Sequence, residues 1–169
     1  MTATSEVAGG QAGAEMAGRC TCGEVRYRMT ARPLFVHACH CTWCQSETGS
    51  AFALNAMIEA EYLELLVGSP DEVPLPSNSG RGQVVLRCPV CRVALWSHYA
   101  GAGRKVAFVR VGTLENPSAC PPDIHIFTST KLDWLVLDDR VPVVPEYYDW
   151  REYWPQDSIA RRATMSAKG

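Results

Sequence analysis

Seven of the eight cysteines in this chain of 169 residues fall into three short clusters. In chain order the clusters are Cys20-Thr21-Cys22, Cys39-His40-Cys41-Thr42-Trp43-Cys44 and Cys88-Pro89-Val90-Cys91. Residues i and i+2 of an extended segment point to the same face, so a C-x-C pair can present both sulfurs to one ion. A C-x-x-C turn folds two sulfurs around a metal, as in zinc knuckles and ribbons. The spacings therefore predict metal binding.

The clusters contain enough thiolates for two tetrahedral zinc ions per chain. A structural zinc takes four ligands, and closed sites are often formed by cysteine alone. Two pairs from distant parts of the chain supply four ligands: Cys20, Cys22, Cys88 and Cys91. The middle cluster holds three more cysteines within six residues: Cys39, Cys41 and Cys44. Three protein ligands with one open position are typical of a catalytic zinc, so we predict one structural and one catalytic ion.

Other uses of the same cysteines stay open at this point. The thiols can form disulfides, the middle cluster can hold free thiols beside a single zinc, or the clusters can pair differently. Cys120 stands alone between Ala119 and Pro121. We expect an ordinary loop thiol there, with a fourth metal ligand or a resolving thiol as the alternatives.

The four histidines are secondary candidates. His40 lies between two cysteines that face the metal, so we expect its side chain to point away and to support a ligand or contact substrate. His37, His98 and His125 lie in strand-like segments, where we expect structural roles with satisfied hydrogen bonds.

Composition and charge limit the possible location and partners. The N-terminal residues have no Lys or Arg before Arg19 and no apolar segment typical of a secretory signal, so we expect a cytoplasmic protein with reduced thiols. No apolar run reaches about 18 residues, which predicts no membrane span. A net charge of −2, with a basic cluster only at Arg161, Arg162 and Lys168, predicts no nucleic-acid partner.

Short alternating segments separated by turn residues predict an all-β domain over residues 18–150, after a disordered leader over residues 1–17. The predicted strands cover residues 24–29, 34–38, 51–58, 62–67, 83–87, 93–99, 105–111, 124–128 and 135–137. Residues 151–169 are predicted to form a tail, with a short helix that begins at Pro155 and then frays. The aromatic run over residues 147–154 is predicted to be a strap across the sheet edge or a ligand-stacking surface.

Three segments in this order resemble the glutathione-dependent formaldehyde-activating (Gfa-like) enzyme family, which includes centromere protein V. They are GRCTCGEV at residues 18–25, CHCTWC at 39–44 and CPVC at 88–91, with weaker similarity at 122–126 and 131–134. The resemblance covers residues 18–139 and implies a β-tent fold with short strands in stacked sheets. It also implies the two zinc sites described above and a carbon–sulfur lyase activity that joins glutathione and formaldehyde to S-hydroxymethylglutathione.

The chain departs from the family pattern at Arg92, where the family usually has glycine after the second cysteine of C-x-x-C. If this position needs a left-handed backbone, arginine costs roughly 1 kcal/mol there.

The resemblance leads to a mechanism in which the glutathione sulfur binds beside Cys39, Cys41 and Cys44, and in which His40 or a water relays the proton. The carboxylates of glutathione need donors, and four basic residues are available by type: Arg26, Arg87, Arg92 and Lys131. Thiols add to formaldehyde without an enzyme, so two other classes remain. One is a non-enzymatic zinc-binding interaction module, and the other is a different zinc enzyme.

Overall fold

The computed structural model describes residues 15–167, which form ten strands and three α-helices. The strands are β1 Met16–Arg19, β2 Arg26–Met29, β3 Phe35–Cys39, β4 Ala53–Glu59, β5 Leu63–Val67, β6 Asp71–Leu75, β7 Gln83–Arg87, β8 Ala94–Tyr99, β9 Val106–Arg110 and β10 Ile124–Ile126. The helices are α1 Thr42–Thr48, α2 Trp150–Tyr153 and α3 Gln156–Ala167. Short 3-10 turns lie at Ala60–Tyr62, Gly103–Lys105, Val111–Thr113, Pro117–Ala119 and Thr128–Thr130.

The strands form two sheets, which confirms the all-β prediction. The larger sheet has the order β10-β3-β4-β9-β8-β7-β6, and the smaller one has the order β1-β2-β5. All neighbours in both sheets are antiparallel except β10 and β3, which are parallel. The fully buried ring of Tyr27 in the smaller sheet meets Trp96 of the larger sheet edge to face, with 5.5 Å between centroids. The main core therefore lies between the two sheets.

The opposite face of the larger sheet carries a second apolar cluster. Phe35, Met57 and Val106 belong to it, together with all three cysteines of the middle cluster. Helix α1 and the C-terminal segment cover this face, and Trp154 in that segment is buried. The middle cysteines therefore lie on the side of the large sheet that faces away from the main core.

Most strand predictions agree with the structure to within two residues at either end, but residues 135–137 form a loop in place of a strand. Strands β1 and β6 were not predicted. The sequence of β1 is MAGR, which has no β-branched residue, and β6 contains Pro74 within a turn-rich stretch. Proline is tolerated in β6 because this strand is at the edge of the sheet.

The ends of the chain differ in part from the predicted boundaries. Strand β1 begins at Met16, two residues before the predicted start of the domain, and residues 1–14 of the predicted leader lie outside the described part of the chain. The helix predicted to begin at Pro155 is longer than expected, since α3 spans the 12 residues Gln156–Ala167. No helix within residues 15–167 is long and apolar enough to cross a membrane.

A buried ion pair attaches α3 to the large sheet. The side chain of Glu59 at the end of β4 is 3% exposed, and Arg161 of α3 donates to both of its carboxylate oxygens, with 2.9 Å from Nε to Oε1. Arg161 also donates to the backbone carbonyl of Arg32 at 2.8 Å. This contact keeps the C-terminal segment over the apolar cluster that contains the middle cysteines.

We predict that Arg161→Met destabilises the protein by about 2 kcal/mol or more, because it leaves the buried Glu59 carboxylate without its partner. Thermal or urea unfolding measures the effect. Arg140→Met is the matched control, since the Arg140–Asp138 pair is exposed and its loss should leave the unfolding midpoint nearly unchanged. Equal effects of the two substitutions would contradict the assigned role of the Arg161 contact.

Candidate metal centres

Two turns of similar geometry carry the first and third cysteine clusters. Cys20 follows β1, its N–H donates to the carbonyl of Val25 at 3.0 Å, and the chain reverses through Gly23 at φ +80°. Cys88 follows β7, and its N–H likewise donates to the carbonyl of Val93, five residues on, at 3.0 Å. Backbone N–H groups also point at the sulfurs, with Val25 N–H 3.3 Å from Cys20 Sγ and Val90 N–H 3.4 Å from Cys88 Sγ. Such donors stabilise thiolates, as a metal site requires.

The two turns meet, and their four sulfurs lie within 4.8 Å of one another. Cys22 Sγ lies 3.5 Å from Cys20 Sγ and 3.6 Å from Cys88 Sγ. Four sulfurs bound to one zinc at ~2.3 Å form a tetrahedron with edges of about 3.8 Å. The spacing of this four-cysteine centre, formed by Cys20, Cys22, Cys88 and Cys91, therefore fits a zinc ion.

The middle cysteines form a second group, the three-cysteine centre, at one end of the large sheet. Cys39 is the last residue of β3, Cys41 is the N-cap of α1, and Cys44 lies in the first turn of that helix. The Cys41 sulfur accepts a hydrogen bond from the Cys44 N–H at 3.4 Å and lies 3.5 Å from Cys39 Sγ. All three residues are buried, and their sulfurs lie within 4.8 Å of one another. One strand end and one short helix thus assemble the centre locally.

Crowding couples the ionisation of these three thiols. Hydrogen bonds with the thiols of Cys39 and Cys44, helped by the backbone N–H groups of Cys44 and Trp43, lower the pKa of Cys41 to about 3. Hydrogen bonds with Cys41 and Cys44, together with burial, raise the pKa of Cys39. Cys41 is therefore the first of the three to ionise, and a metal must displace protons from the other thiols, so its affinity falls as the pH falls.

Among the described residues, His40 belongs to neither group of potential metal ligands. Its side chain is fully buried, Nε2 lies 2.9 Å from Nδ1 of His125, and the ring packs on Phe52 with 5.2 Å between centroids. Burial, followed by the nearby charges of His125 and Lys131, lowers the pKa of His40 to about 4. The imidazole is therefore neutral at pH 7.

The family model of glutathione-dependent formaldehyde-activating enzymes matches residues 15–130, which is more than half of the chain. The chain belongs to this family. A crystal structure of a Rhodobacter sphaeroides protein is similar to 76% of this chain and 100% of that chain, with 16% sequence identity and a TM-score of 0.45. The search of curated proteins gave no match.

In this Gfa family member His37, His98 and Cys120 contact neighbouring groups of the protein. His37 Nε2 lies 2.6 Å from the hydroxyl of Tyr148, and His98 Nδ1 lies 2.7 Å from the carbonyl of Val106. Cys120 is buried in the main core, where its thiol lies 3.4 Å from the sulfur of Met16. Among the described residues Cys120 belongs to neither cysteine centre.

Three of the four basic residues named above as possible donors to the glutathione carboxylates already form ion pairs or hydrogen bonds within the protein. Arg87 pairs with Glu47, and Arg92 pairs with Asp71 at 2.5 Å. The ammonium of Lys131 donates to the backbone carbonyls of Leu132 and Leu135 at 3.0 and 2.8 Å. The fourth, Arg26, is exposed on β2, near the turn of the four-cysteine centre at Gly23.

A buried ionic network beside the three-cysteine centre was not predicted. Glu47 of α1 receives hydrogen bonds from Arg87 at the end of β7 and from Arg110 at the end of β9, the latter at 2.9 Å. Arg110 also donates to the side-chain carbonyl of Asn55 on β4. Glu47 and Arg110 lie 63 positions apart in the chain, so no local sequence pattern indicates the contact.

The C-terminal aromatic run forms a strap along β10 and packs on the same face as the three-cysteine centre. Val143 bridges to His125, and the Val144 N–H donates to the His125 carbonyl at 3.0 Å. The rings of Tyr148 and Trp154 lie on Phe35, each with 5.8 Å between centroids. The strap therefore completes an apolar wall beside the cysteines.

Arg92 has φ +62°, the left-handed geometry that the family's usual glycine tolerates without cost. We predict that Arg92→Gly changes stability by no more than about 1 kcal/mol, because backbone relief offsets the loss of an exposed ion pair with Asp71. Asp71→Asn removes the ion pair alone and serves as the reference. In urea unfolding Arg92→Gly should be at least as stable as Asp71→Asn, and a clearly lower stability would refute the backbone argument.

The two centres should respond differently to loss of one sulfur. Cys88→Ser opens the link between two distant turns, so we predict strong destabilisation or aggregation. Cys41→Ser should stay folded with about one zinc per chain, because serine is also a good N-cap for α1. Thermal unfolding and metal analysis of both variants test this. Unfolding of Cys41→Ser to the same extent would mean that the three-cysteine centre is structural as well.

Proposed function

We propose that the protein is a zinc-dependent carbon–sulfur lyase of the S-hydroxymethylglutathione synthase type. It acts on glutathione, or another small thiol, and on formaldehyde or a related small electrophile. Family membership supports the reaction class. The observation that carries the proposal is the difference between the two cysteine centres, since one supplies four sulfurs and the other supplies three. A four-sulfur centre closes around zinc, whereas a three-sulfur centre leaves one coordination position for a substrate.

We assign one zinc to each centre. Cys20, Cys22, Cys88 and Cys91 would hold a structural ion, and Cys39, Cys41 and Cys44 would hold the ion that takes part in the reaction. When bound, zinc lowers the pKa of a coordinating thiol enough to give a thiolate near neutral pH, and the thiolate is the nucleophile toward a carbonyl carbon.

The protein residues around the three-cysteine centre hold its geometry. Helix α1 orients Cys41 and Cys44, and its Gln45 donates to the carbonyls of His40 and Thr130 at 2.7 and 2.9 Å. The hydroxyl of Thr130 donates to the same His40 carbonyl at 3.1 Å. These contacts support a preorganised centre in which the cysteine loop is held by the segment after β10.

His40 is better suited to positioning than to proton transfer. A general acid or base works best with a pKa near the working pH, and the pKa of His40 is about 4. Its ring is fully buried, and its Nε2 lies 2.9 Å from Nδ1 of His125. We therefore infer that His40 holds the loop, and that solvent water carries the proton to the new hydroxyl group.

The test is thiol-dependent turnover above the uncatalysed rate, because glutathione and formaldehyde combine spontaneously. Exchange between free and adducted glutathione can be followed by NMR at equilibrium, with and without protein. We predict a protein-dependent increase in the exchange rate that Cys41→Ser abolishes. Cys120→Ala, which changes a thiol outside both centres, should keep the wild-type rate.

Equal exchange rates for wild type and Cys41→Ser would reject the enzyme assignment made here. That result, together with two retained zinc ions in wild type, would favour the interaction-module alternative.

A further inference from the structure

Three charged side chains form a chain of ion pairs at the three-cysteine centre, and we call them the Arg87–Glu47–Arg110 triad. The Glu47 side chain is 10% exposed and its two oxygens each accept from a different guanidinium. The Arg110 side chain is 9% exposed and the Arg87 side chain is 24% exposed. One carboxylate between two guanidinium groups leaves the buried triad with one net positive charge, which is costly unless a negative charge compensates it.

The strand register brings this positive charge close to the cysteines. Cys39 pairs with Ala53 on β4, and Asn55, two residues further along the same strand, pairs with Arg110 on β9. Residues at such positions project from the same face of a sheet, so Cys39, Asn55 and Arg110 share the face that α1 covers. Glu47 lies three residues after Cys44 on that helix, which places the two side chains on adjacent turns.

One buried nitrogen of Arg110 has no hydrogen-bond partner within the described residues. Its two terminal nitrogens donate to Asn55 and Glu47, but its Nε–H is buried and has no acceptor among residues 15–167. A buried donor without an acceptor costs free energy and calls for an explanation, of which a bound ligand is one. The unsatisfied donor favours a ligand with an acceptor atom, and the positive charge of the triad lowers the cost of negative charge at the centre.

We propose that the Arg87–Glu47–Arg110 triad makes the three-cysteine centre selective for an anionic ligand, with the Arg110 Nε–H as a donor to that ligand. The inference rests on the proposed function and extends it to the charge of the substrate. Three thiolates and one zinc carry a net charge of −1, so a further thiolate raises the local negative charge to −2. The triad compensates one unit of this charge and thereby favours a thiolate over a neutral ligand.

Cobalt(II) in place of zinc allows ligand binding to be measured without turnover, through its thiolate charge-transfer and d–d absorption. The probes are 2-mercaptoethanol, whose thiolate is its only charge, and imidazole as a neutral ligand. We expect Arg110→Gln to weaken thiolate binding on the order of tenfold at fixed pH and to change imidazole binding less than about twofold. Arg110→Lys, which keeps the charge, should restore most of the thiolate affinity.

Glu47→Gln tests the direction in which the charge of the triad changes thiolate binding. It keeps an acceptor oxygen for one arginine only and raises the net charge of the triad to +2, so thiolate binding should tighten several-fold while imidazole binding should not. A purely structural triad predicts weaker binding of both probes in both variants, and that result would overturn the proposal. Arg28→Gln is the control, because it removes one exposed positive charge from the smaller sheet and should change neither affinity.

The proposed function and the role of the triad can be rejected separately. If wild-type protein binds only one cobalt ion, the proposed function is wrong, and the selectivity of the centre is rejected with it. If wild type binds two ions but its thiolate affinity is the same in Arg110→Gln and Glu47→Gln, the zinc centre stands and only the role of the triad is wrong. Should Arg110→Gln fail to fold, Arg110→Lys and Glu47→Gln still decide between charge and structure.

Discussion

The link between two distant turns through four cysteine sulfurs is the constraint on which the arrangement of the two sheets depends. Cys20 and Cys22 follow β1 in the smaller sheet, whereas Cys88 and Cys91 follow β7 in the larger one. The sulfurs of Cys22 and Cys88 are 3.6 Å apart although 66 positions separate them in the sequence. A metal that joins them closes a long loop and holds the sheets together over the main core, so its binding free energy adds directly to folding.

With the sheets held from one side, the opposite face of the larger sheet is available for a second centre. The three-cysteine centre is assembled by a strand end and a helix that follow each other in the chain, and it closes no long loop. Beside it lies the buried ion pair between Glu47 of α1 and Arg110 of β9. The division that we propose, with folding assigned to one centre and ligand chemistry to the other, rests on the loop lengths and on the number of sulfurs in each group.

The sequence allowed the cysteine grouping and most strands to be predicted, because ligand spacing and alternation are local patterns. Arg92 has the left-handed backbone that the departure from the family's usual glycine raised as a condition. Helix α1 was missed because its seven residues, TWCQSET, are too few to show an apolar period, and its N-cap is a cysteine. The Arg87–Glu47–Arg110 triad was missed because three separate elements meet only after the sheet has formed, and no spacing in the chain reports such contacts.

The C-terminal segment shows why family membership does not by itself define the surroundings of the three-cysteine centre. The family match ends at residue 130, whereas the aromatic strap and α3 follow it in the chain. The ring of Tyr147 in the strap lies 5.0 Å from that of Tyr148 and 6.2 Å from that of Phe127 between centroids, and Tyr147 is 59% exposed. The sulfurs and their loop belong to the part of the chain that the family shares, but one wall of the face that carries them comes from residues outside it.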